Sequence, residues 1–344
     1  MAKLTAGFFV RIGDAALLDV LEFYRNDQRC LREIGYEVIP ITRVRRLLKA
    51  TPDFYFAWWF GFGFFAALIA RVRRRPCILI GNVHTQDGRG IEGWPWPKRI
   101  VMKAALRLAT ATILTSHTEL ARLGGTPAND ARVIYHAVDL ISHRPGQAAR
   151  RPRVVAISHL TRTNVARKMV LESLEAFALF HASHPEYRMV LVGEHGDALE
   201  LVRAKIAALG IGGAVELPGR IPFERKIELL QTATAYLQPS RCEGFGLAIL
   251  EAEACGCPVV TSREPCIVEI NGDAVLYGET PQQLAGQLER LADDEALWQR
   301  MRERGLANAR RFSYEARREK LRELLASVGL RPTSAEPQAT AAAR

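Results

Sequence analysis

Residues 234–262, TAYLQPSRCEGFGLAILEAEACGCPVVTS, decide how this chain folds. Segment 234–240 is short, apolar and β-forming, a glycine-containing loop follows, a helix is expected from about Phe245, and 257–262 is apolar again. A strand with one wet face alternates polar and apolar side chains. These do not, so both faces are covered, as in a parallel sheet with helices on either side. Outward from this unit the rhythm repeats, with apolar strand candidates at 154–158, 189–193, 214–219 and 274–278 separated by helix-length stretches. The C-terminal half is therefore expected to be an α/β, doubly wound, Rossmann-like domain.

The N-terminal half repeats the alternation less regularly, at 5–10, 36–41, 77–83, 111–115 and 131–135, and is expected to form a second Rossmann-like unit. Between the halves, 143–152 (HRPGQAARRP) is polar and contains Pro and Gly, the composition of a linker. The expected division is a domain at 1–145 and another at 146–328, facing across a cleft, where ligands often bind. The pattern is helical from 281 to about 328, with a last helix that can return to the N-terminal domain. Residues 331–344 are small and polar and are expected to be disordered. A length of 344 residues suits two such domains, and 48% apolar with 24% charged residues excludes a disordered, collagen-like or disulfide-scaffold chain.

Residues 54–70 (FYFAWWFGFGFFAALIA) carry no charge. Seventeen residues is the lower limit for a membrane span, and Gly61 and Gly63 divide the run into a strand-like and a helix-like half. A buried strand followed by a buried helix is expected. Gly61, Gly63 and Ala66 also stand at the spacing of a dinucleotide fingerprint, which needs a carboxylate about 20 residues on to hold a ribose hydroxyl. The next strand instead ends Ile80-Gly81-Asn82-Val83-His84, so no nicotinamide or flavin cofactor is expected.

Formal net charge is +10, with 22 Lys/Arg against 12 Asp/Glu up to residue 150 and 25 against 25 beyond it. A basic surface on one half attracts an acidic partner. Cys30, Cys77, Cys242, Cys255, Cys257 and Cys266 are scattered and no apolar leader opens the sequence, which fits a reducing cytoplasm. Zinc usually takes two close pairs of ligands where Cys255 and Cys257 supply one, so no metal is expected.

The chemistry concentrates in the loop of the opening stretch. Free N–H groups in the first turn of the helix, backed by its dipole, suit a phosphate. Glu243 precedes the helix and Glu251 lies about two turns along it, so the two carboxylates hold different parts of one extended ligand and are no adjacent acid/base pair.

Taken with its flanking strands, the string resembles the retaining, nucleotide-sugar-dependent glycosyltransferases of family 4, which have the GT-B fold of two Rossmann-like domains. Their signature, a Glu, seven residues and a second Glu between a strand ending in Pro-Ser and a Gly-x-Pro turn, is matched by Glu243 and Glu251. The resemblance covers roughly 77–325 and takes in Lys168 in the Arg-Lys before a helix, Val192-Gly193, Pro218-Gly219 and Val138-Asp139. It implies that Glu243 contacts hydroxyls of the donor sugar, Glu251 the ribose, and the backbone of Gly244, Phe245, Gly246 and Leu247 the sugar and diphosphate. It also implies that Lys168 and the helix start stabilise the charge growing on the diphosphate, without a metal. His84 looks like the family's histidine on the acceptor side. Where the family has Gly-Arg after the first C-terminal strand, this chain has Ser158-His159, and Arg162, or His159 itself, is the candidate diphosphate cation. His136-Ala137 replaces Asn-Gly. Retention is implied to proceed by same-face substitution, a phosphate oxygen of the departing nucleotide taking the acceptor proton.

Trp94 and Trp96 open a helical stretch at 94–112 in which Arg99, Lys103 and Arg107 recur every four residues. Like charges at that spacing repel mildly, and a cationic stripe beside aromatic residues suits an anionic membrane interface as well as a solvated face. No nucleic-acid recognition motif accompanies it. The function expected is a cytoplasmic enzyme that moves a sugar from a nucleotide-diphosphate donor to a hydroxyl acceptor in polysaccharide or glycolipid assembly, peripheral on the inner membrane face where the acceptor is lipid-linked. The alternatives are a nucleotide-sugar epimerase of the same plan, which would release no free nucleotide, and a non-catalytic sugar- or membrane-binding relative.

Overall fold

The computed structural model describes residues 3–83, 90–124 and 129–332. Their contacts gather into two units: one takes the chain up to Val83, then Trp94–Ala137 and the return from Tyr314, and the other is built on Val138–Ser313. The division after Ala137 falls ahead of the polar stretch 143–152. That stretch is fastened to the second unit instead, by the Gln231 side-chain N–H donating to Arg144 O at 2.7 Å and by Arg150, which pairs with Glu295 at 2.7 Å and lies over the Trp298 ring.

In the first unit, β1 (Thr5–Phe9), β2 (Glu37–Ile41), β3 (Phe54–Trp58), β4 (Cys77–Ile80), β5 (Ala111–Leu114) and β6 (Ala131–Val133) form a parallel sheet in the order β2-β1-β3-β4-β5-β6. The unbroken apolar strands read from the sequence are the inner ones, β1, β3, β4 and β5, buried on both faces, while the edge strands β2 and β6 are partly exposed. β3 is buried throughout, and Phe56 stacks on Phe8 of β1 at 5.7 Å.

Residues 54–70 are strand β3 and the start of the Phe60–Arg73 helix, joined at Trp59 with φ +69°. A bulky residue there costs about 1–3 kcal/mol. It is held by its main-chain N–H on Ile80 O at 2.8 Å and by its indole N–H on the Tyr24 hydroxyl at 2.5 Å. The expected burial applies to one side of the helix only. Gly63, Ala66, Ala67 and Ala70 face inward, whereas Phe62, Phe65, Leu68 and Val72 are exposed. Gly63 is a packing glycine: a Cβ would come within 2.9 Å of Leu79 Cδ2. The next helix, Trp96–Leu108, packs beside it. Crossovers β3 to β4 and β4 to β5 run in one direction, and their common right hand puts both helices on one side of the sheet. Among the described residues, no helix is long and apolar enough to cross a membrane.

The Tyr314–Ser327 helix lies against the Glu22–Ile34 helix of the first unit. Its buried Arg317 pairs with buried Asp27 at 2.7 Å and donates to Ile134 O at 3.0 Å and Tyr135 O at 2.5 Å. Burial holds the Asp27 carboxyl above its usual range, against the pull of the guanidinium. Residues 314–327, within the expected 146–328 span, thus complete the first unit, the return to the N-terminal domain that the sequence allows for the last helix. Of the expected tail, 333–344 lie outside the described residues.

In the second unit, β7 (Arg151–Ile157), β8 (Arg188–Val192), β9 (Val215–Gly219), β10 (Ala233–Leu237), β11 (Val259–Thr261) and β12 (Leu276–Tyr277) form a parallel sheet in the order β12-β11-β10-β7-β8-β9. Counted within the unit, this is the doubly wound order 3-2-1-4-5-6. Winding reverses between β7 and β10, and the loops leaving those two strands diverge there, opening a crevice at their carboxyl ends.

Candidate functional site in the second unit

The strand exits at this reversal carry the residues of interest. Leaving β7, the chain keeps company with the exit of β8: Ser158 N–H donates to Val192 O at 2.8 Å and Leu160 N–H to Glu194 O at 2.9 Å. Gly193, at φ +149°, makes this possible, because a Cβ there would sit 1.9 Å from Ser158 O. Thr161 then caps the short Arg162–Arg167 helix by accepting from Asn164 N–H. Lys168 closes that helix, and Met169 turns left-handed at φ +45° before the Val170–Ser183 helix begins.

This double turn sends Lys168 back to the crevice. Its ammonium donates to the Gln238 side-chain oxygen at 3.2 Å, just beyond β10, and lies 3.5 Å from Ile157 O at the end of β7. A small cavity lies here, with Ser158, Lys168 and Gln238 among its lining residues. Burial pushes the lysine pKa down, and the Glu243 carboxylate acts against that shift. The Gln238 oxygen also accepts from the Tyr236 hydroxyl, while its buried amide nitrogen has no hydrogen-bond partner among the described residues.

Beyond β10 the loop is pinned before the helix starts. Ser240 N–H donates to the Ser262 hydroxyl at 2.9 Å, that hydroxyl donates back to Ser240 O at 2.7 Å, and Thr261 donates to Gln238 O at 2.7 Å. Arg167 clamps the next residues: its guanidinium reaches Glu243 at 2.9 Å and Cys242 O at 3.1 Å, while its own carbonyl accepts from Arg241 N–H at 2.8 Å. Ser240 adds a hydroxyl bond to Glu243 at 3.1 Å. Gly246 takes φ +84°, and the Leu247–Ala254 helix starts there, two residues after the expected place.

Glu243 is 7% and Glu251 8% exposed, and each has a cation of its own. Glu251 pairs with Lys226 at 3.0 Å and has the His143 ring nitrogen 3.9 Å away; burial lowers the pKa of that histidine. Lys168, Glu243, Glu251 and the 244–247 backbone are therefore gathered in one place. Arg162 is not among them in the same way. It opens its helix with an exposed side chain, and its main-chain N–H donates to Asp197 at 2.8 Å. His159 is likewise largely exposed, 3.9 Å from Glu194. The cation that reaches Glu243 is Arg167, the first half of the Arg-Lys pair. Lys226 and His143 carry no motif that would have singled them out, whereas Gln238 stands directly before the Pro-Ser that ends the strand. His84 lies outside the described residues.

The family model "Glycosyl transferases group 1" matches residues 150–308, and "Glycosyltransferase Family 4" matches residues 10–141. The chain belongs to the family 4, group 1 glycosyltransferases. Its curated relatives in this family include a D-inositol 3-phosphate glycosyltransferase of Acidothermus cellulolyticus, 32% identical over 62% of this chain and 52% of that protein. Another is O-antigen chain mannosyltransferase B of Escherichia coli, 34% identical over 43% of this chain and 40% of that one. The chain thus spans about half the length, or less, of these two relatives. Among solved structures, HepE of Anabaena in complex with UDP and glucose superposes with a TM-score of 0.78 at 18% identity, covering 94% of this chain and all of that one. Sucrose-phosphate synthase of Thermosynechococcus elongatus gives 0.73 at 17%, covering 95% and 99%. At such identity the likeness is one of fold, and the fold is the two-domain α/β GT-B fold of family 4.

Proposed function

We propose that this protein is a retaining glycosyltransferase that moves a sugar from a nucleoside-diphosphate donor to a hydroxyl acceptor. The observation that carries the reading is the clustering of Lys168, Arg167, two separately paired carboxylates and the start of the Leu247–Ala254 helix at the carboxyl ends of β7 and β10. As the bond from the sugar to the diphosphate breaks, negative charge grows on the leaving oxygen, and donors fixed in advance stabilise it. Lys168 and the first-turn N–H groups supply that charge, so this reading calls for no metal and no cofactor. Glu243 holds sugar hydroxyls and Glu251 the ribose. The acceptor oxygen bonds to the anomeric carbon on the face the leaving group departs, the acceptor proton passes to a diphosphate oxygen, and the nucleoside diphosphate is released. His84 is assigned to the acceptor side.

Relatives support transfer chemistry: those named above are a glycosyl- and a mannosyltransferase, and HepE was solved with UDP and glucose. The acceptor belongs to polysaccharide or glycolipid assembly on the cytoplasmic face of a membrane. The test is a panel of UDP-, GDP- and ADP-sugars scored for thermal stabilisation, then for nucleotide release with a membrane extract as acceptor source. One donor is expected to raise the melting temperature and to release its nucleotide only with acceptor present. Conversion of the donor without release would make the protein an epimerase, and binding without turnover a non-catalytic relative. Either result overturns the proposal.

A further inference from the structure

The Phe60–Arg73 helix is built inside out. Its sheet side is Gly63, Ala66, Ala67 and Ala70, and its large apolar side chains recur at Phe62, Phe65, Leu68 and Val72, a spacing of three to four residues that makes one stripe facing outward. Val72 is 76% exposed. The neighbouring Trp96–Leu108 helix, on the same side of the sheet, extends the stripe with Trp96 and Ile100, at 67% and 57% exposure. A helix in a water-soluble domain ordinarily buries such residues, and a contiguous apolar face of this kind marks a surface with a partner.

The charge around it says which partner. Together the two helices hold six Lys and Arg and neither contains an Asp or Glu. Arg71, Arg74, Lys103 and Arg107 are exposed, and the Lys98 ammonium sits 3.7 Å from the Trp94 ring centre. Apolar and aromatic side chains ringed by cations are complementary to lipid headgroups of negative charge over an acyl interior.

We infer that the outer face of these two helices docks on an anionic lipid bilayer, Phe62, Phe65, Val72, Trp96 and Ile100 entering the headgroup layer and the cations meeting lipid phosphates. This extends the reading of a membrane-linked acceptor, but lipid binding needs neither donor nor turnover, so each can fail without the other. The intact protein is sedimented with vesicles of phosphatidylcholine alone and of equal parts phosphatidylcholine and phosphatidylglycerol. Binding to the anionic vesicles is expected to be at least about tenfold tighter and to weaken with salt, and R71Q/K103Q to weaken it about thirtyfold. F65S/V72S should also weaken it while leaving the melting temperature and the donor-induced shift in place. No binding to either vesicle, equal binding to both, or variants that bind as wild type does would overturn the inference. So would light scattering that shows a dimer dissolved by F65S/V72S together with no lipid binding, which would make this face a contact between two copies of the chain.

Discussion

Replacing Lys168 with methionine separates what the ammonium does for the reaction from what it does to the fold. In the folded protein the lysine makes contacts of 3.2 Å and 3.5 Å, each, as a long bond from a charged donor, contributing about 1.5 kcal/mol. Against these stands the desolvation that lowers its pKa, and methionine keeps the apolar stem without that penalty. The two nearly cancel, so the melting temperature of K168M should lie within about 4 °C of wild type. For catalysis nothing cancels. One preorganised donor to a developing oxyanion is worth about 3–4 kcal/mol, and kcat for nucleotide release should fall by about 100- to 1000-fold. The pH dependence has a definite sign. A lysine whose folded pKa is lowered holds fewer protons than the unfolded chain between that value and the ordinary 10.5, so its destabilising effect fades as pH rises through this window. K168M should compare best with wild type near neutrality and lose that advantage toward pH 10.5. Denaturant titrations at several pH values and steady-state nucleotide release measure both halves. A kcat within about threefold of wild type would refute the charge-stabilising role, and a folded state lost on substitution would make Lys168 a structural residue.

Glu251→Ala removes the partner of Lys226 and the group assigned to the ribose. Nucleotide affinity measured by calorimetry should fall about ten- to a hundredfold, the value of a hydrogen bond to a charged group, and an unchanged affinity would refute that assignment. Gly246→Ala forces a side chain into φ +84° and should cost about 1–2 kcal/mol in urea unfolding; no loss would mean the turn relaxes. Arg317→Met strands the buried Asp27 carboxyl and should cost about 3–5 kcal/mol, most of it recovered in D27L/R317M. Arg317 pulls the Asp27 pKa down against the rise that burial causes, so its removal lets that pKa climb further, and the stability deficit should widen as pH rises from the wild-type value toward the variant's. A deficit that ignores pH would show that Asp27 finds another partner.

What the sequence made legible follows from the physics of parallel sheets. Strands covered on both faces are unbroken apolar runs, so 154–158, 189–193 and 234–240 announced β7, β8 and β10 whatever their neighbours. The same argument failed to tell which side of the Phe60–Arg73 helix is wet. An apolar stretch with small residues on one stripe and large ones on the other reads as buried all round, and only in the folded chain, where Gly63 packs on Leu79 and Val72 is exposed, is the small side seen to be the inner one. At the site, Glu243, Glu251 and Lys168 were legible because they stand in a continuous motif or beside one. Arg162 and His159 are the diphosphate-cation candidates because they follow the first C-terminal strand, whereas the part of Arg167 is not legible, since the left-handed turn at Met169 beyond it carries no compositional mark. Lys226 and His143 meet Glu251 from distant stretches, and spacing along a chain cannot report such a meeting.

The pairing of Asp27 with Arg317 joins residues 290 positions apart. A ribosome therefore finishes the whole second unit before it makes the helix that caps the first. Until then the nascent N-terminal sheet carries a carboxylate without its guanidinium and an uncovered helix flank, so its early segments wait in an incomplete state. This ion pair, the most distant among the described residues, works as a latch that closes late, and synthesis that stalled between the two halves would release a fragment with its Asp27 exposed or protonated and ready to be recognised as unfinished.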